Sequence, residues 1–121
     1  MYAIDSFVLY VEDIERSLAF YALITGSQPA RLSPTFVAVE FGEGPRLELK
    51  QRAESVPPAT VTGGGTELSI RVPDEAALRA LYGEWKGLGV RILQEPTSMV
   101  FGTTFVGLDP DGHRLRVFAG G

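Results

Sequence analysis

The 121-residue chain has no cysteine, one histidine, one tryptophan and two methionines. Without cysteine there is no disulfide framework, no thiolate nucleophile and no cysteine-based metal site. A single imidazole leaves no partner for a two-histidine metal site or a catalytic triad, and no serine or threonine stands in a nucleophile motif. Basic runs are absent and the net charge is −4, which argues against a nucleic-acid partner. The opening MYAIDSFVLYVED has no basic leader and meets acidic residues after a short apolar stretch. It reads as neither signal peptide nor membrane span, so a cytoplasmic protein without a membrane partner is expected. With 45% hydrophobic and 21% charged residues, the composition is that of a single globular domain.

What is present is written twice. Residues 5–11, DSFVLYV, alternate as a strand; Asp13 can cap a helix running through IERSLAFYALI to Gly26. Short strands are expected around residues 29–32 and 35–41, and RLELK at 46–50 alternates again after a turn. Residues 51–65, QRAESVPPATVTGGG, have no period and read as a linker. The triple glycine at 63–65 precedes a strand and opens no helix, so flexibility fits it better than phosphate binding.

Then TELSIRV at 66–72 is a strand, and Pro73-Asp74 opens a helix with the stripe Leu78, Leu81, Trp85, Leu88, ending at Gly89. VRIL, TTFVGL and, after the DPDG turn, HRLRVF are further strands. Val11 aligns with Val72 and Asp13 with Asp74; Arg46 aligns with Arg114, Leu47 with Leu115 and Glu48 with Arg116. The offset grows from 61 to 68, which puts the seven extra residues in the loop QEPTSMVFGT. Two β-α-β-β-β modules follow: module one at 1–51, a linker at 52–65 and module two at 66–121. One module alone leaves a sheet face bare, so the modules should pair, within a chain or between chains.

Alternation assigns the faces. Phe7, Leu9, Val11, Leu68, Ile70 and Val72 should meet the helices, leaving Ser6, Val8, Tyr10, Glu67, Ser69 and Arg71 on the other side. Arg46, Glu48 and Lys50, then Arg114, Arg116 and Phe118, join that second face. Paired curved sheets would enclose it in a cleft; a solvated polar face is the plain alternative. Phe7, Phe20, Tyr21 and Trp85 read as core. Tyr10, Phe36 and Phe118 read as cleft wall, with Met99 and Phe101 able to close over it. His113 falls beside Leu115 and Val117 next to a turn, where a capping or surface role fits better than catalysis.

The strings FVLYVEDIERSLAFY, GTELSIRVPD and LDPDGHRLRVF, in this order with the internal repeat, resemble the vicinal oxygen chelate superfamily. That group includes glyoxalase I, extradiol dioxygenases, and fosfomycin- and bleomycin-resistance proteins. SPTFVAVEF and EPTSMVFGTTFVGLDPDGHRLRV are similar to a phenazine-antibiotic resistance subgroup, whose namesake binds its aromatic ligand without transforming it. The resemblance implies an α+β fold of two paired β-α-β-β-β modules forming a curved cleft, and a homodimer in which modules can be exchanged.

It also implies metal-ligand positions in the first and last strands of each module, which here are Ser6, Glu48, Glu67 and Arg116. Serine is a poor ligand for a first-row divalent ion and a guanidinium has no acceptor at all. No catalytic residue, metal site or cofactor is therefore expected. The expected function is metal-free sequestration of a small planar aromatic natural product, giving antibiotic resistance or self-protection. Ser6, Tyr10, Phe36, Glu48, Lys50, Glu67, Met99, Phe101, Arg116 and Phe118 are the candidate ligand-binding residues. Glu48, Glu67 and Arg116 can equally well neutralise one another. The alternative is a lyase or dioxygenase with a reduced metal site; a binder of an ordinary metabolite is a third reading.

Overall fold

A computed structural model describes residues 2–120. The elements are β1 (Ser6–Val11), α1 (Ile14–Thr25), β2 (Ala30–Ser33), β3 (Phe36–Val39) and β4 (Arg46–Gln51), then β5 (Glu67–Arg71), α2 (Glu75–Gly87), β6 (Arg91–Met99), β7 (Gly102–Leu108) and β8 (Arg114–Ala119). The fold is α+β, and the chain divides after Gly63 into two compact units. Each unit holds one helix and one four-stranded mixed sheet, in the orders β1-β4-β3-β2 and β5-β8-β7-β6. Neither helix is long and apolar enough to cross a membrane.

The repeat survives in the hydrogen-bond register. In unit one the parallel pair β1–β4 sets Ser6 opposite Arg46 and Val8 opposite Glu48. In unit two β5–β8 sets Glu67 opposite Arg114 and Ser69 opposite Arg116, the same pairing at the expected offsets. The seven extra residues are not all in one loop. Ala30 pairs with Ala38 in the first hairpin and Gln94 with Val106 in the second, so the second is longer by four and the other three precede Gln94. The stretch that reads as a short strand plus a loop is in fact a nine-residue strand, β6, bulged on both sides of Gln94. Its polar, proline-containing sequence hides the extension, because an edge strand tolerates Pro96 where a central one would not.

In unit one Leu47 and Leu49 of β4, Val37 and Val39 of β3, and Leu9 and Val11 of β1 are buried, with Ile14, Leu18 and Tyr21 of α1 as the helical part of the core. Asp13 accepts from the amides of Glu15 and Arg16, and Gly26 closes the helix on Ala22 O. Phe7 departs from expectation: it shares the face of Leu9 and Val11 but is 53% exposed. It precedes the stretch of β1 that the core covers, and alternation gives a residue's side without saying how far the covering helix reaches. The last residue of β4 and the one after it are tied to α1 and the turn before it. Gln51 Oε1 accepts from the Ile14 amide, and Arg52 forms a two-pronged pair with Glu12. That pair, like Arg31 with Glu15, holds the glutamate below its ordinary value through hydrogen bonding to the guanidinium.

In unit two Leu78 and Trp85 of α2 are buried on the side of Phe105, Leu115 and Val117. Phe105 meets Tyr82 and Trp85 edge-on, centroids 5.3 and 5.4 Å away. Gly107 lets the indole lie close to β7, since a Cβ there would stand 3.1 Å from Trp85 Cε3. Asp74 caps α2 through the Ala77 amide. Glu75 in its first turn accepts from Thr103 Oγ1 of β7 and from Arg79 Nε, and these bonds lower its carboxyl from the usual glutamate value.

The DPDG turn is built on a buried carboxylate. Asp109 Oδ1 accepts from the amides of Asp111 and His113, both at 2.9 Å. His113 is only 2% exposed, so a surface role is wrong: the alternation that puts it beside Leu115 and Val117 also puts it in the interior. Asp109→Ala should cost about 2–3 kcal/mol in urea unfolding, because it strips a charged acceptor from two amides. Asp109→Asn, which keeps an acceptor oxygen, should cost clearly less.

Candidate functional site

The side of each sheet opposite its helix carries the polar and aromatic residues. In unit one, Ser6, Val8 and Tyr10 of β1 share this side with Arg46, Glu48 and Lys50 of β4 and with Phe36 and Ala38 of β3. Glu48 is buried, and its Oε2 lies 3.0 Å from Arg46 Nη2. Among the described residues no N–H is aligned on that oxygen, so the contact is a Coulombic pair and not a hydrogen bond. Arg46 also reaches Asp5 at 3.3 Å. Lys50 donates to Thr35 Oγ1 at 2.8 Å and stands 5.8 Å from the Phe36 ring centroid. Tyr10 is partly exposed opposite Lys50.

In unit two the centre is Arg116. Its Nε donates to Glu67 Oε2 at 3.0 Å, and its Nη1 donates to Thr104 Oγ1 at 3.2 Å and to Gln94 Oε1 at 3.3 Å. The Thr104 hydroxyl gives its own proton to Val117 O at 2.8 Å, which leaves a lone pair for the arginine. Arg116 is on β8, Glu67 on β5, Thr104 on β7 and Gln94 on β6, so one guanidinium bridges all four strands. Its side chain is 18% exposed, and its Nη2 has no partner among the described residues.

Beside it, Phe118 is flanked by Arg71, whose Cζ lies 4.7 Å from the ring centroid, and by Phe101, edge-on at 6.1 Å. Arg71 Nη1 also donates to Gly120 O at 3.2 Å. Phe101 is held there by a backbone crossing. A Cβ on Gly102 would overlap Ala119 O, and one on Gly120 would overlap Phe101 O, so glycine at both places brings the hairpin end against the last strand. Met99 accepts weakly from Gln94 Nε2 at 3.8 Å, which links the hairpin end to Arg116.

Of the ten residues that the sequence suggests for ligand binding, Glu67, Met99 and Arg116 are linked in unit two through Gln94, and Phe101 meets Phe118 on the same side of that sheet. Ser6, Tyr10, Phe36, Glu48 and Lys50 occupy the corresponding side in unit one. Within unit two Glu67 pairs with Arg116, and within unit one Glu48 pairs with Arg46 of its own strand. Arg71, Gln94 and Thr104 belong to the group in unit two without being among those ten. Alternation sets Arg71 on this side and is able to place Thr104 there as well. Gln94 lies between two register shifts, where no period reaches.

Chemically the group offers donors, a compensated charge and aromatic edges, with no nucleophile next to a base. Arg116→Met should lower unfolding stability by about 2–3 kcal/mol, since it leaves Glu67, Gln94 and Thr104 without their shared donor. Arg114→Met, exposed on the same side, should change it by less than about 0.5 kcal/mol.

Residues 3–117 match the family model described as Glyoxalase/Bleomycin resistance protein/Dioxygenase superfamily. The chain is 31% identical over 113 residues to the phenazine antibiotic resistance protein EhpR of Enterobacter agglomerans, covering 91% of this chain and 86% of that one. Among solved structures it is similar to protein ATC0852 from Agrobacterium tumefaciens, with TM-score 0.88, 42% identity, and coverage of 100% and 99% of the two chains. A glyoxalase-related enzyme from Fulvimarina pelagi shares the fold at TM-score 0.84 and 22% identity, over 98% of this chain and 88% of that one. Two modules in matching register, a family match along nearly the whole length and an antibiotic-resistance relative agree that the chain belongs to the glyoxalase/bleomycin resistance protein/dioxygenase superfamily.

Proposed function

We propose that the protein binds a small planar aromatic natural product, without metal and without transforming it, and confers resistance by holding the compound. The observation that carries this reading is Arg116. It stands where the superfamily resemblance puts a metal ligand, and a guanidinium offers no lone pair to a cation. The other three positions support the same view. Ser6 supplies a hydroxyl where an imidazole would serve better, and Glu48 and Glu67 each lie 3.0 Å from an arginine nitrogen. A divalent ion would have to displace those arginines and then find further ligands. Among the described residues, no three His, Cys, Asp or Glu side chains gather as a ligand set. This donor set does not fit a first-row metal.

What remains suits recognition. Phe118 and Phe101 offer aromatic surface, and each good aromatic pair adds about 0.5–1.5 kcal/mol beyond burial. Arg116 Nη2 offers N–H groups to a carbonyl or carboxylate on the ligand. The relationship to a phenazine antibiotic resistance protein supports a fused tricyclic aromatic as the first compound class to test. Sequestration works by mass action, so protection requires protein in amounts comparable to the compound.

Thermal unfolding with phenazine-1-carboxylate, followed by chromatography of the recovered compound, tests this. At a hundredfold excess over its dissociation constant, a ligand of the native state adds about 2.7 kcal/mol, a rise of several degrees. The compound should come back unchanged. No shift with any planar aromatic, or recovery of a converted product, would overturn the proposal, and conversion would establish an enzyme.

A further inference from the structure

Charge is distributed unevenly between this side of the sheets and the rest of the chain. Along the two parallel strand pairs, the sides away from the helices carry Arg46, Lys50, Arg71, Arg114 and Arg116 against only Glu48 and Glu67. The whole chain has 11 Lys and Arg and 15 Asp and Glu, which leaves six basic and thirteen acidic side chains elsewhere. An acidic protein thus concentrates an excess of positive charge on two sheet faces, an arrangement that draws in anions.

The cations differ in what they already hold. Glu67 meets the charge of Arg116; Glu48 and Asp5 meet that of Arg46. Among the described residues Lys50 meets only neutral groups, Thr35 Oγ1 and the Phe36 ring, but it is a compact ammonium without the planar fork that matches a carboxylate. Arg71 has no carboxylate within ion-pair reach among the described residues. Its contacts are a single neutral carbonyl, Gly120 O, and the ring of Phe118. The Phe118 ring and Gly120 O hold the guanidinium in position, while its Nε and Nη2 N–H groups have no partners among the described residues. A planar cation kept ordered and uncompensated beside an aromatic ring is suited to a ligand that is itself aromatic and anionic.

We infer that Arg71, on Phe118, is the residue that selects a carboxylate-bearing aromatic ligand over its neutral counterpart. This rests on the binding proposal above and assigns the charge recognition within it to Arg71 and not to Arg116, whose charge Glu67 already balances. Arg71 binds the carboxylate through its free N–H groups, and Phe118 keeps it in place. Gly102 and Gly120 are positioning residues, because the crossing they permit sets Phe101 against Phe118 and Gly120 O under Arg71.

The test is titration calorimetry of the full-length protein with phenazine-1-carboxylate and with unsubstituted phenazine, at two salt concentrations. Arg71→Met should weaken the carboxylate about tenfold and the neutral compound less than about threefold, and should flatten the salt dependence of the carboxylate. Arg71→Lys should keep part of the preference, and serves if the methionine variant folds poorly. Arg114→Met removes the same charge from the same side and should change either affinity less than threefold.

Equal losses for both ligands with Arg71→Met would mean that Arg71 only packs Phe118, and would overturn the inference. So would a loss with Arg114→Met as large as with Arg71→Met, which would reduce the effect to a general field. If the unaltered protein binds neither phenazine, the binding proposal fails and this inference falls with it. If it binds both and the variants leave affinity unchanged, only the assignment to Arg71 fails.

Discussion

The four strands of the second module's sheet are tied together by one guanidinium. Arg116 hydrogen-bonds across the sheet to Glu67, Thr104 and Gln94, and therefore touches every strand of its own sheet. Such an interaction places three donors of one rigid, always-charged group against three acceptors that would otherwise face water or one another. It sets the position of Glu67, and through Gln94 it reaches Met99 and the end of the long hairpin. It also underlies the proposed chemistry of this face. On that proposal, a cation where the superfamily resemblance puts a metal ligand favours acceptor groups over metal ions.

The duplicated architecture shows how the two modules diverged on a common frame. Glu48 and Arg116 hold equivalent places in the register, opposite Val8 and Ser69 respectively. In the first module the position is acidic, and its arginine partner, Arg46, comes from the same strand. In the second it is basic, and its acidic partner comes from the neighbouring strand. The second module also lengthened its outer hairpin, and the glycines at 102 and 120 bring that addition back against β8. The added length therefore supplies Phe101 to the aromatic group on Phe118.

Much of this is legible in the residues because strand alternation and helix caps are local. Asp13, Asp74 and Gly26 mark the helix ends, and Leu47, Leu49, Leu115 and Val117 mark the buried side. The face shared by Glu67, Arg116 and Phe118 follows from the same period. What stays hidden is set by reach and register. Phe7 has the right side but lies beyond the covered part of its strand. His113 looks peripheral because it adjoins a turn, yet the turn is itself folded onto a buried Asp109. Gln94 has no readable place because two bulges interrupt the period of β6. Composition also does not say which arginine each carboxylate meets, Arg46 for Glu48 and Arg116 for Glu67.

If arginine has replaced a metal ligand in this sheet, the protein should hold no stoichiometric metal. The purified protein would be dialysed against zinc, manganese and ferrous iron, freed of loose ions, and analysed by inductively coupled plasma mass spectrometry. Well below one metal per chain is expected for each ion. Stoichiometric retention of any one of them, lost on treatment with EDTA, would contradict that replacement.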